Sequence, residues 1–152
     1  MKLVIGTDNN QIFNSIDGGI TWNFLNTIFD STISYADSIA SSADGTILIC
    51  SISSGSIWVS LDSGLHWTKT IINGANNGIV CCSADGSKMT AAQNTTNSNS
   101  NLYTSSDSGT TWINILTSPA GETFMSIASD AQETSWLPVA LPTLLAVMFG
   151  QV

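Results

Sequence analysis

The sequence predicts an all-β chain made of repeated four-stranded antiparallel meanders. Three observations lead there. The frame S-x-D-x-G-x-x-W occurs three times, with its tryptophans at positions 22, 67 and 112, a constant spacing of 45. Short apolar runs alternate with Asp-Gly and Ser-Gly pairs, which is the signal of tight hairpins. The composition disfavours helix: Ser, Thr and Asn supply 53 of 152 residues, glycine supplies 12, and Lys, Glu and Arg are scarce.

The elements follow in order. Lys2 to Gly6 is an apolar run too short for a secretory h-region; it leads into a turn at Asp8-Asn9-Asn10 and reads as a strand, with Lys2 to Ile5 matching the second strand of a unit. Ile12-Phe13 precedes the first box, Ser15 to Trp22. In the next unit the pattern predicts strands near 37–42, 46–52, 56–60 and 66–71. Turns fall at Ala43-Asp44-Gly45, Ser53-Ser54-Gly55 and Asp62-Ser63-Gly64. Ile57-Trp58 precedes the second box, Ser60 to Trp67, and Leu102-Tyr103 precedes the third, Ser105 to Trp112. Between boxes, Ser42-Ala43-Asp44-Gly45 recurs as Ser83-Ala84-Asp85-Gly86 and, weakened, as Ser129-Asp130-Ala131. A meander of four strands repeated every 45 residues is the signature of a propeller blade. One domain, 1–152, then divides into a partial blade 1–28, blades 36–72 and 78–117, and a partial blade 123–152. That makes about three to three and a half blades. The last segment departs from the pattern: Pro138 and Pro142 enter where a second strand is due, which predicts an edge strand, an adaptor or a decayed repeat.

The frame resembles the Asp-box, or BNR, repeat of sialidases, sortilin-type receptors and photosystem II assembly factors. The resemblance implies a β-propeller with each box at the turn between a blade's third and fourth strands. It also implies a structural role for Ser15, Asp17, Gly19 and Trp22, for Ser60, Asp62, Gly64 and Trp67, and for Ser105, Asp107, Gly109 and Trp112. The aspartates are expected to accept backbone N–H groups of the turn. The glycines are expected at positive φ. The tryptophans are expected to pack under the loop or on the neighbouring blade, each burying on the order of 200 Å². Carboxylates 45 residues apart lie around a ring and do not converge on one substrate, so the boxes are not read as catalytic or metal-binding.

Other chemistry is thinly represented. A sialidase grips its substrate carboxylate with three arginines, and this chain has none, which removes that mechanism. The acids outside the boxes and the repeated Ser-Ala-Asp-Gly turns, Asp8, Asp30, Asp37, Glu122 and Glu133, form no recognisable glycosidase pair. His66, the single histidine, stands at a variable box position and is expected to be exposed. No Ser-His-Asp set, zinc spacing or phosphate loop is present, and no cofactor is expected. Cys50, Cys81 and Cys82 are odd in number and read as buried small hydrophobes rather than a disulfide framework. Asn94-Thr95-Thr96 is a glycosylation sequon in a polar tract, 94–101, expected to be a solvated hairpin insertion.

Charge bounds the partners. The net charge is −8, and Lys2, Lys69 and Lys88 are scattered, which excludes a phosphate-binding surface: no nucleic acid and no anionic membrane are expected. The apolar stretch 137–152 falls short of the ~20 residues of a membrane span, and the compartment is left unassigned. Closed propellers typically have four to eight blades, so three units predict self-association. The expected forms are a two-fold dimer closing a ring of about six or seven blades, or a filament; a fragment of a longer propeller is the alternative. The chain's two ends are further expected to share a blade. The function expected is a non-enzymatic structural or interaction module with glycan or protein binding on its loop faces. The alternatives are a glycoside hydrolase-like subunit whose site forms on assembly, and an assembly-factor or receptor-type propeller fragment.

Overall fold

A computed structural model of the chain describes residues 2–7, 11–25, 36–53, 55–75, 78–95, 98–129 and 136–141. All its described regular structure is strand. The first sheet holds β1 (Leu3–Gly6), β2 (Ile12–Ser15) and β3 (Asn23–Leu25). The second holds β4 (Ala36–Ser41), β5 (Leu48–Ile52), β6 (Gly55–Ser60) and β7 (Thr68–Ala75). The third holds β8 (Ile79–Cys82), β9 (Met89–Gln93), β10 (Asn99–Ser105) and β11 (Ile113–Ala120). A last pair holds β12 (Thr123–Ser129) and β13 (Trp136–Leu141). Strands pair antiparallel in chain order within each sheet, so the expected meander is what the chain forms.

The registers align the repeats. Leu3 faces Ser15 across β1 and β2, Leu48 faces Ser60, and Met89 faces Ser105. Ile5, Cys50 and Ala91 are therefore equivalent, as are Phe13, Trp58 and Tyr103. β1 stands where β5 and β9 stand, as a second strand, in line with the reading of Lys2 to Ile5. Among the described residues the two ends do not pair: the place beside β12 is taken by β13, with Ile127 opposite Pro138. Local pairing closes a shorter loop than pairing with β1 would. Among the described strands β13 pairs with β12 alone, the edge position where proline is tolerated.

Successive sheets stack through three apolar seams. Alternation along each strand sends one set of side chains to the preceding sheet and the other to the following one. Ile12 and Leu25 of the first sheet bury Leu48, Cys50, Ile52 and Trp67 of the second. Ile49, Ile57, Val59 and Ile72 of the second bury Val80, Met89 and Ala91 of the third. Ala92 and Leu102 of the third bury Phe124 of β12. Polar bonds cross the same seams: Ser51 Oγ donates to Gly78 O at 2.6 Å, and Ala43 N donates to Ala84 O at 2.8 Å. β4, β8 and β12, the first strands of their sheets, touch one after another.

The polar tract departs from expectation at its first residue. Asn94 is buried, its Nδ2 donating to Phe124 O at 2.8 Å and its Oδ1 accepting Phe124 N at 2.9 Å. The side-chain amide imitates a strand partner and ties the third sheet to β12. It is not a solvated sequon asparagine, because the nitrogen a glycan would need is already engaged inside the protein. None of the three cysteines is in a disulfide; Cys50 is buried, while Cys81 and Cys82 are half-buried. Burial, reinforced by Asp37, pushes the Cys50 thiol up to about 12, which makes it an inert core group.

Candidate functional site

The three boxes are the sequence-predicted site, and each joins the last two strands of its sheet: β2 to β3, β6 to β7 and β10 to β11. Their internal geometry repeats atom for atom. A buried serine hydroxyl accepts the glycine N–H: Gly19 N to Ser15 Oγ at 2.8 Å, Gly64 N to Ser60 Oγ at 2.9 Å, Gly109 N to Ser105 Oγ at 2.9 Å. The same hydroxyl donates to the aspartate Oδ1 at 2.7, 2.9 and 2.8 Å. The aspartate in turn accepts the N–H four residues on, from Thr21 at 3.0 Å, His66 at 2.8 Å and Thr111 at 2.8 Å.

The aspartates accept backbone N–H groups of the turn, and the serines take a different share. The acceptor that matters for burial is the serine, since Ser15, Ser60 and Ser105 are buried while the N–H groups bound by the aspartates lie at the exposed rim. The sequence signal was present, because serine precedes each aspartate by two residues. Its burial followed only from the register that sets Ser60 opposite Leu48.

Backbone geometry adds a second feature. Gly19, Gly64 and Gly109 take φ of 95°, 89° and 84°, as expected of them. The preceding residue is also left-handed: Gly18 at 80°, Ser63 at 63° and Ser108 at 53°. That double turn aims Ser63 N at Thr46 O, 2.7 Å away, and Ser108 N at Ser87 O, 2.9 Å away. The second and third boxes thereby clamp the sister turns of their own sheets. In the sister turns, Ser42 Oγ donates to Asp44 at 2.7 Å and Ser83 Oγ donates to Asp85 at 2.6 Å, a shortened version of the box.

These bonds set the electrostatics. Hydrogen bonds to the ionised form hold a carboxyl acidic. The Thr21 hydroxyl, followed by the Thr21 N–H and Ser15, puts Asp17 well below the usual carboxylate range. Asp62 is lowered to about 2, first by the His66 N–H. Asp107 is lowered to about 2, first by the Thr111 hydroxyl. Asp44 and Asp85 are lowered to about 2, led by the Ser42 and Ser83 hydroxyls. All five stay ionised at neutral pH, which suits a turn acceptor and not a general acid.

Ser60, Asp62 and His66 do meet, with His66 Nδ1 2.6 Å from Asp62 Oδ2. Their order is wrong for nucleophilic catalysis. A triad needs the imidazole between the hydroxyl and the carboxylate, whereas here the carboxylate stands in the middle and the hydroxyl is buried. His66 itself is exposed. Among the described residues no three His, Cys, Asp or Glu side chains gather as metal ligands. Asp37 is half-buried on β4, and Glu122 is half-buried before β12. Asp8, Asp30 and Glu133 lie outside the described residues. No described helix is long and apolar enough to cross a membrane.

The tryptophans diverge. Trp67 is 7 % exposed, sits in the seam with Ile12 and Leu25, and donates Nε1–H to Gly64 O at 3.1 Å. Trp112 packs on the seam below the second sheet and donates to Gly109 O at 2.9 Å. Trp22 is 39 % exposed, because no described sheet precedes its own. Beside the third box, a groove of about 330 Å³ runs between the second and third sheets, lined by Leu61, Lys69, Ile71, Gly109 and Thr110 among others.

Comparison with known proteins places the fold. The GH74 xyloglucanase from Xanthomonas campestris superposes with a TM-score of 0.67 over 91 % of this chain at 19 % identity. A nidogen/laminin complex gives a TM-score of 0.65 over 86 % at 15 % identity, and YCF48 bound to D1 peptide gives 0.56 over 78 % at 19 %. The fold is that of a β-propeller. The chain spans 25 %, 49 % and 38 % of the length of those three proteins in turn. No family model matches the sequence, and no curated protein matches it.

Proposed function

We propose that the chain is a non-enzymatic Asp-box propeller module that works by structure and interaction, associates with itself, and offers its loop faces to a protein or glycan ligand. One observation carries the reading: each box carboxylate is occupied by its own turn, its Oδ1 bound to the serine hydroxyl and to the N–H four residues on, and its Oδ2 to the side chain of that same residue, Thr21, His66 or Thr111. Such groups have no spare role for a substrate. The absence of arginine removes carboxylate recognition of the sialidase kind. The groove beside Gly109, with Leu61 and Ile71 exposed around Lys69, suits a ligand that is apolar on one face and an acceptor of hydrogen bonds on the other. YCF48 is seen bound to D1 peptide, which supports the protein side of the reading in the manner of an assembly-factor or receptor-type propeller.

The rival reading is a glycoside hydrolase-like subunit completed on assembly, for which Asp37 and Glu122 are the remaining described carboxyls. A broad panel of aryl and oligosaccharide glycosides, incubated with the chain at the concentration where it is assembled, separates the two. No turnover is expected. Turnover abolished by Asp37→Asn or Glu122→Gln would overturn the proposal.

A further inference from the structure

The seams define what a sheet's upstream face needs. In the second sheet the upstream positions are Leu48, Cys50, Trp58 and Trp67, and the first sheet covers them. In the third they are Met89, Ala91, Tyr103 and Trp112, and the second sheet covers them. The register assigns Leu3, Ile5, Phe13 and Trp22 to the same places in the first sheet. Those four are all apolar or aromatic, as in the covered sheets. Yet Ile5 is 42 % exposed, where Cys50 and Ala91 are fully buried. Phe24 extends the patch, its ring 5.5 Å from that of Phe13. Exposed singly, apolar side chains need no explanation; gathered on one face with buried equivalents, they mark a contact.

The box glycine points the same way. A Cβ on Gly64 would meet Leu25 of the preceding sheet at 2.5 Å, and one on Gly109 would meet Val59 of the preceding sheet at 2.8 Å. Glycine at this place lets a neighbouring blade close in. Gly19 keeps the same residue and the same positive φ, but its Cβ would meet only Leu3 and Trp22 of its own sheet. The first sheet is built to receive a neighbour.

We infer that the upstream face of the first sheet, centred on Leu3, Ile5, Phe13 and Trp22, seats a second copy of this chain, docked blade on blade as the internal seams are. The inference deepens the proposed interaction module and rests on it. The internal seams identify the occupant: three times over, what covers such a face is the downstream face of a sheet from this same chain. A second copy carries one more. Phe124 points into the seam with the third sheet, while Met125, at the register shift that follows it in β12, is exposed and outside that seam. The contact is heterologous, with the upstream face of one copy on the downstream face of another.

Light scattering with size exclusion tests this on the whole chain. At micromolar concentration the wild type is expected at a mass at least twice the 16.0 kDa of one chain. Ile5→Glu, and separately Trp22→Gln, are expected to return it to one chain with the strand circular dichroism unchanged. Ile20→Glu is the control: Ile20 is 83 % exposed and its equivalent Leu65 is exposed too, so assembly is expected to persist. Because the contact is heterologous, Ile5→Glu chains keep a sound downstream face and are expected to cap wild-type assemblies, lowering their mean mass. A folded 16.0 kDa wild type overturns the second copy as occupant. Assemblies that survive both Ile5→Glu and Trp22→Gln overturn the face while leaving self-association standing. Glycoside turnover would instead sink the non-enzymatic reading and leave this contact intact.

Discussion

The first and second boxes have one hydrogen-bond pattern and two fates. In both, serine holds the glycine N–H and aspartate holds the N–H four residues on, at distances within a few tenths of an ångström. Yet Trp67 is buried and Trp22 is not. The turn is therefore a local object, closed by its own side chains, while the burial of its tryptophan comes from the sheet next door. A repeat of this kind has two separable energies, one internal to the unit and one at the seam between units.

The sharpest way to break that comparison is to truncate the two indoles. Trp67→Ala empties a seam and is expected to cost about 3–5 kcal/mol. Trp22→Ala, in dilute unassembled chain, is expected to cost about 1 kcal/mol or less, as a half-exposed side chain does. Urea denaturation followed by circular dichroism measures both. Equal losses would mean that the first sheet is covered even in the single chain.

The glycines come next. Gly64→Ala adds left-handed strain and drives a methyl into Leu25, so about 2–3 kcal/mol is expected. Gly19→Ala adds the strain, with only the Leu3 side chain 3.3 Å away to give, and about 1–2 kcal/mol is expected. The same denaturation series reads the difference, and its disappearance would say that φ alone decides the position.

Within one box the serine and the aspartate can be weighed against each other. Ser60→Ala strands the buried Gly64 N–H and is expected to cost about 1–3 kcal/mol. Asp62→Ala releases the His66 N–H at the exposed rim, where water replaces the carboxylate, and is expected to cost less than the serine change. The reverse order would make the aspartate the principal acceptor.

Much of this was legible before any coordinates. The period of 45, the Asp-Gly turns and the apolar pairs before each box gave the strand order and the placement of β1 as a second strand. These signals are local and repeat three times, so each copy checks the others. What stayed hidden depends on neighbours. Asn94 read as a solvated sequon because nothing in its flanking residues announces the Phe124 backbone it pairs with 30 residues later. Trp22 and Trp67 look identical in sequence, and only the presence or absence of a preceding sheet separates them. The buried role of the serines needed the cross-strand register, which a single strand does not reveal.

Acid titrates the local energy across all the boxes at once. Asp44, Asp62, Asp85 and Asp107 ionise near 2 in the folded chain against about 3.9 when unfolded. A depressed folded value means that the carboxylates contribute stability above the unfolded value and lose it as pH falls through the folded one. The melting temperature is expected to be level above about pH 5 and to fall between about pH 4 and 2. Salt is expected to change the slope little, because the shifts come from hydrogen bonds within a turn rather than from distant charges. A level melting temperature down to pH 2 would contradict the turn bonds.

The smallest expected effect isolates the backbone of the turn from everything packed on it. The first box places glycine at its first left-handed residue, Gly18, while the second and third place Ser63 and Ser108 there. Ser108→Gly makes the third box resemble the first. Relief of left-handed strain favours the variant by about 1–2 kcal/mol, and the greater freedom of glycine in the unfolded chain opposes it by about 0.5–1 kcal/mol. The net change is expected to be a stabilisation below about 1 kcal/mol, with the bond from residue 108 N–H to Ser87 O retained. Hydrogen exchange at that amide checks the bond, and denaturation checks the sign. Clear destabilisation would mean that the serine side chain, and not only its backbone, holds the box against its sister turn.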